Sequence, residues 1–215
     1  MKFILSLLSV TAIGILHVHA ADPITLTLAS FNDTKGEPPP PGWVEEEGGV
    51  IHRKAKAGDL ISKDEYSSFT IEWEWKVAPG ANSGLKYWVN KFGKGWLGIE
   101  YQMIDDERHP DANKGESHSH ATASLYDLKG PSEDKPVKPA GEWNTSKVVI
   151  QDGVIQHYLN GKLVAEEDTK TQDWKDRVAK SKFKSVQGFA PGKGHFLLQD
   201  HGDEVWFKNI RVTPM

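Results

Sequence analysis

The chain has 215 residues, a formal charge of −4, no cysteine and eight tryptophans. Mild acidity gives no electrostatic basis for binding nucleic acid or an anionic membrane, and the lack of cysteine removes disulfides and thiolate chemistry. Stability must come from a buried core, for which the tryptophans are material.

Met1-Lys2, the apolar run Phe3 to Val18 and the small residues around Ala20 read as a secretory signal peptide covering residues 1–20. The run is short for a membrane span, and an uncleaved anchor is the alternative. No cysteine follows it, which disfavours a lipoprotein. Residues 21–215 are then a single domain, exported to a bacterial periplasm or the cell exterior, with no membrane association after cleavage.

From there the pattern is strand after strand. Ile24 to Ala29 alternates, and Pro38 to Pro41 sits in an irregular loop. Trp43–Glu45 and Val50–His52 flank Gly48-Gly49 as a hairpin, and Asp59–Ser62 is a further strand. Phe69 to Val77 is the clearest: Ile71, Trp73, Trp75 and Val77 share one face, Glu72, Glu74 and Lys76 the other. After the turn Pro79 to Gly84, Leu85, Tyr87 and Val89 oppose Lys86 and Trp88. The latter pair is an ordinary exposed one or, in a cleft, a cation beside a stacking plate.

Leu97 to Asp111 (LGIEYQMIDDERHPD) puts Glu100 and Gln102 on one face and Tyr101 and Met103 on the other. Asp105, Asp106 and His109 follow at the mouth of that strand. His118 and His120 have a spacing that a metal could use, but no carboxylate or cysteine frames them in sequence. Ala123 to Leu128 carries Tyr126 and Asp127, the latter read equally as a turn anchor. Asp152-Gly153 and Asn160-Gly161 punctuate a three-stranded meander, and His157 within it reads as a structural histidine. Thr171 caps one short helix reaching about Ser181.

At the end, Gly194 to Asn209 places Gln199 and His201 on one face, breaks at Gly202, and resumes with Val205, Phe207 and Asn209 against Trp206, Lys208 and Ile210. Many short strands with one helix specify an all-β sandwich or jelly roll. Amides, carboxylates and an aromatic plate on such strands suit a hydroxyl-rich ligand.

The ordered segments NSGLKYWV, LGIEYQMIDDERHPDA, ASLYDL, KPAGEWN, HYLNGKLV, SKFK and GHFLLQDHGDEVWFKNIRV resemble the 3-keto-disaccharide hydrolase domain family from about Ala29 to Val212. The departures are the proline-rich insert and the His-Ser-His segment. The resemblance implies a concanavalin A-like jelly-roll sandwich of two antiparallel sheets and a secreted enzyme acting on 3-keto-glycosides. A ketone at C3 acidifies the hydrogen at C2, so a base can start an elimination that expels the C1 substituent, and hydration completes a net hydrolysis.

For that chemistry Glu100 is the base or a metal ligand, and His201 a proton-transfer group or ligand. Lys86 stabilises the enolate and Tyr126 is an acid or donor. Gln102, Gln199, Trp88, Asp105, Asp106 and His109 bind substrate. A divalent metal on Glu100, His201 and an aspartate is the cofactor such a set allows. The alternatives are a non-catalytic carbohydrate-binding module on the same fold and a laminarinase-like glycosidase, which calls for paired carboxylates.

Overall fold

Apolar residues at every second position commit a segment to one buried face. In the computed structural model, which describes residues 21–215, these segments are strands. The expected signal peptide lies outside the described residues. In chain order the strands are β1 (Ile24–Thr25), β2 (Phe31–Asp33), β3 (Trp43–Glu46), β4 (Val50–Arg53), β5 (Leu60–Tyr66), β6 (Phe69–Val77) and β7 (Asn82–Phe92). They continue with β8 (Gly95–Ile104), β9 (Asn144–Gln151), β10 (Val154–Leu159) and β11 (Lys162–Asp168). The α-helix α1 (Gln172–Lys180) precedes β12 (Gly194–Leu198) and β13 (Val205–Pro214). Thr171 caps α1 by accepting from the Trp174 amide at 3.2 Å, and Trp174 is buried.

The strands form two antiparallel sheets, a jelly-roll sandwich of the concanavalin A-like kind. One sheet has eight strands, ordered β11-β10-β9-β6-β13-β4-β3, with β1 beside β13; the other has five, ordered β2-β5-β12-β7-β8. The core lies between them. Trp73 of β6 meets Tyr101 of β8 edge-on at 4.9 Å, and both are buried. Polar groups buried there are paired with one another. Trp75 donates to Ser146 at 2.8 Å, and Ser146 donates to the Tyr101 hydroxyl at 2.7 Å. His157 is fully buried as a structural histidine. Its Nδ1 faces the Ala123 carbonyl at 3.0 Å and therefore carries the hydrogen, which leaves Nε2 to accept from the Tyr87 hydroxyl at 2.8 Å. Burial lowers its pKa to about 4.

Three expectations from alternation need correction. Only Ile24 and Thr25 of the first segment are strand; Leu28–Ser30 is a 3-10 turn, because the Ser30 hydroxyl accepts from the Thr27 amide at 3.1 Å and competes with the ladder. Trp88 does not share a face with Lys86. The ladder is bulged between Tyr87 and Asn90, and Trp88, at φ 50°, turns into the core with its indole donating to the Ser67 carbonyl at 2.8 Å. Asn209, at φ 52°, produces the same slip in β13, so Ile210 rather than Asn209 joins Val205 and Phe207 inside.

Between β12 and β13 the chain bends around Asp200. Its carboxylate accepts from the amides of Ala57 and Gly58, both at 2.7 Å, and pairs with Arg53 of β4 at 2.7 Å. Burial opposes its charge, but these amides and Arg53 prevail and hold its pKa below the ordinary value.

Candidate functional site on the outer face of the five-stranded sheet

Leu85, Tyr87, Ile99, Tyr101, Met103, Phe196 and Leu198 all enter the core, so their strand neighbours Gly84, Lys86, Glu100, Gln102 and Leu197 face outward. Register lines these up. Leu197 pairs with Lys86, and Lys86 pairs with Glu100. The row is extended by the segment after β8, where Tyr101 bridges to Leu125 and the Tyr126 amide donates to the Glu100 carbonyl at 3.0 Å. Lys86, Glu100 and Tyr126 are thus consecutive across three backbone segments.

Glu100 is only 3% exposed, a burial that a carboxylate tolerates when paired. The Lys86 ammonium lies 3.5 Å from its Oε2. Gln199, with its amide oriented to satisfy both neighbours, donates to Glu100 Oε1 at 3.2 Å and accepts from Lys86 Nζ at 3.3 Å. Room for the carboxylate comes from Gly84, where a Cβ would meet Oε1 at 2.7 Å. The buried Gln102 stands opposite Gly84. Asp59 joins the field: burial raises its pKa, aided by the charges of Asp200 and Glu100 and opposed by a hydrogen bond from the Asp200 amide and by Lys86.

Tyr126 is held by a second polar cluster. Its hydroxyl donates to Asp111 Oδ2 at 2.9 Å, and its ring packs on His120 at 4.3 Å. His120 sits between two carboxylates, Asp111 at 3.1 Å and Asp127 at 3.3 Å. Asp127 in turn accepts from the Lys182 amide at 2.6 Å, and the Lys182 ammonium lies 4.0 Å over the Tyr126 ring. Burial and the neighbouring Asp111 push the Tyr126 phenol well above its ordinary pKa.

The structure therefore brings together Glu100, Lys86, Tyr126, Gln102 and Gln199, and gives the others contacts of their own. Trp88 is in the core. Asp105 is buried, anchors its own loop by accepting from Glu107 and Arg108, and ties it to the β6–β7 turn by accepting from Gly80. Asp106 accepts from the Thr122 amide and pairs with Lys135 at 2.7 Å. His109 accepts from the Asp111 amide, and its ring lies edge-on, 6.3 Å from the exposed ring of His201. Among the described residues, no three or more histidine and carboxylate side chains converge as a metal-ligand set. Both oxygens of Glu100 are already engaged, by the Lys86 ammonium and the Gln199 amide, so a Glu100–His201 metal centre does not fit this arrangement.

Asp59, Gly84, Asp111 and Lys182 were not legible as site residues, and His120 and Asp127 were read only as half of a histidine pair and as a turn anchor. Among the first four, only Gly84 carried a local signal, a glycine opening a strand pattern, which marks close approach of another group.

Comparison with known proteins agrees with this architecture. The family model described as 3-keto-alpha-glucoside-1,2-lyase-like domain matches residues 27–213. A protein of Bacteroides thetaiotaomicron named 3-keto-disaccharide hydrolase is 35% identical over 191 residues; the match covers 78% of this chain and 66% of that relative, just under two thirds of its length. Two crystal structures from Parabacteroides distasonis, each named as a candidate glycosyl hydrolase, are similar in fold. The first has TM-score 0.79 at 31% identity, covering 88% of this chain and 90% of that one. The second has TM-score 0.64 at 29% identity, covering 80% and 90%.

Proposed function

Because this chain belongs to the 3-keto-alpha-glucoside-1,2-lyase-like domain family, we propose that it cleaves the glycosidic bond of 3-keto-glycosides, disaccharides among them, by elimination followed by hydration. The observation that carries this reading is the Glu100–Lys86 pair, 3.5 Å apart on a face built of register neighbours. In a 3-keto sugar the acidic C2 hydrogen and the C3 oxygen are on adjacent carbons. A carboxylate beside an ammonium suits that unit: Glu100 takes the C2 proton while Lys86 stabilises the negative charge gathering on the C3 oxygen. The C1–O bond then breaks as the C1–C2 double bond forms, and the leaving oxygen takes up a proton. Addition of water across that double bond returns a 3-keto sugar, so the net reaction is hydrolysis. Gln199 holds both catalytic groups in place, and substrate binding displaces part of their mutual pairing.

A conventional glycosidase is the second reading, favoured by Asp59, a second carboxyl whose pKa is raised by burial and, in smaller part, by the charges of Asp200 and Glu100. One assay separates the two. Residues 21–215 are incubated with a 3-keto-disaccharide and with its unoxidised parent sugar, with and without chelator. Cleavage of the keto sugar alone, surviving chelator and lost in Glu100→Gln, is the expected result. Cleavage of the parent sugar would sink the elimination route, and sugar binding without cleavage would leave a binding module. The apolar leader supports export, for which an exported protein beginning near Ala21 is the expected product.

A further inference from the structure

We propose that Lys182 is a catalytic residue, the proton donor to the departing glycosidic oxygen, set opposite Lys86 on the far side of Glu100. The inference rests on the elimination reading above. Along the sugar ring the order of reacting atoms is C3, C2, C1. Along the site the order of groups is Lys86, Glu100, Tyr126, fixed by strand register and by the Tyr126 amide bond to the Glu100 carbonyl. With Lys86 on the C3 oxygen and Glu100 at C2, the C1 oxygen must lie toward Tyr126.

Of the proton-bearing groups there, His120 has both ring nitrogens committed to Asp111 and Asp127, which leaves two. The Tyr126 hydroxyl already donates to Asp111 at 2.9 Å, and Asp111 is a carboxylate whose pKa stays low, despite burial, through hydrogen bonds from Tyr126 and His120. That phenol is a committed donor and a weak acid. The other is the Lys182 ammonium, 4.0 Å over the same ring, with its backbone fixed by Asp127 at 2.6 Å. Its side chain keeps solvent contact, but desolvation of the ammonium lowers its pKa; Glu100, Asp127 and Asp111 oppose this and Lys86 adds to it. A lysine made more acidic gives up a proton more readily at neutral pH. Asp59 is excluded by position, since it flanks the Lys86 side, adjoining β5.

Tyr126 and the Asp111–His120–Asp127 chain are then positioning residues: the ring seats the ammonium and the carboxylates fix the ring. The proton count closes. Lys182 gives one proton to the leaving oxygen, Glu100 gains one from C2, and water addition across the double bond restores both.

The test uses two 3-keto-glucosides that differ in leaving group: a disaccharide, whose departing alkoxide needs a proton, and a 4-nitrophenyl glycoside, whose phenolate does not. In Lys182→Met, kcat/KM on the disaccharide is expected to fall about 100-fold or more, while the nitrophenyl substrate loses only a few-fold. Lys182→Arg, which keeps the charge over Tyr126 but cannot release a proton, should behave like the methionine variant. Equal losses on both substrates, or rescue by arginine, would overturn the proposal and leave Lys182 an electrostatic or structural group. A wild-type protein that cleaves neither keto substrate would instead refute the elimination reading.

Discussion

A single hydrogen separates Gly84 from a collision with Glu100: a Cβ at position 84 would stand 2.7 Å from Oε1 and 3.0 Å from Cγ of that side chain. The glycine is what lets a buried carboxylate fold back toward Gln199 and Lys86. Gly84→Ala should therefore keep the fold, because the clash is with one side chain rather than with backbone. It should also cost activity on a 3-keto-glycoside by tenfold or more, on the order of the loss for misplacing a catalytic group. Unchanged activity with an unchanged thermal midpoint would mean that the carboxylate has another productive position.

Glu100 and Lys86 should act as a unit. Each of Glu100→Gln and Lys86→Met is expected to lower kcat/KM by about 100-fold or more, and the double variant should be scarcely worse than either. Complete additivity in that cycle would argue that the two serve separate steps.

His157 should leave a signature in acid. Its pKa is about 4 in the fold against ~6.5 in the unfolded chain, so the unfolded state binds the extra proton first. Its contribution is intact above pH ~6.5 and declines as pH falls toward 4, by roughly 3 kcal/mol in all. Urea unfolding at pH 7 and 4.5 should show His157→Phe less stable at neutral pH, through the stranded Tyr87 hydroxyl and Ala123 carbonyl, yet with a shallower decline than wild type. Parallel curves would refute the assignment.

The two tryptophans around the β7–β8 turn should separate stability from binding. Trp88→Phe strands the Ser67 carbonyl and should cost about 1–3 kcal/mol in chemical unfolding with KM unchanged. Trp96 packs on the outer apolar cluster of Ile61, Val89 and Leu197, on the same sheet face as Glu100. Trp96→Ala should raise KM several-fold with kcat held. The reverse assignment of effects would place the stacking ring at Trp88 after all.

Alternation made the sandwich legible, because period-two burial in segments such as Ile71 to Val77 admits few other arrangements, and it turned Glu100 and Lys86 to the polar side of their own strands, whereas the register that sets them beside each other and Gln199 follows only from the sheet. It failed at Trp88 and Asn209, where a non-glycine residue with positive φ inserts a bulge and reverses the parity of the next residues in the strand. Nothing in local sequence marks those positions, since tertiary packing of the indole decides the first. The cluster of Asp111, His120, Asp127 and Lys182 was hidden for a different reason. Its members come from loops brought together only by folding, and loop contacts carry no periodicity.

Asp200 comes directly after Gln199 and binds Arg53 of the opposite layer together with Ala57 and Gly58 in the loop that joins the two layers. The amide that clamps Glu100 to Lys86 is therefore tethered one residue away to the eight-stranded sheet. Slippage between the layers cannot occur without disturbing that clamp. Heating should consequently abolish catalysis and tertiary structure in one cooperative step, with no inactive but still folded stage between them.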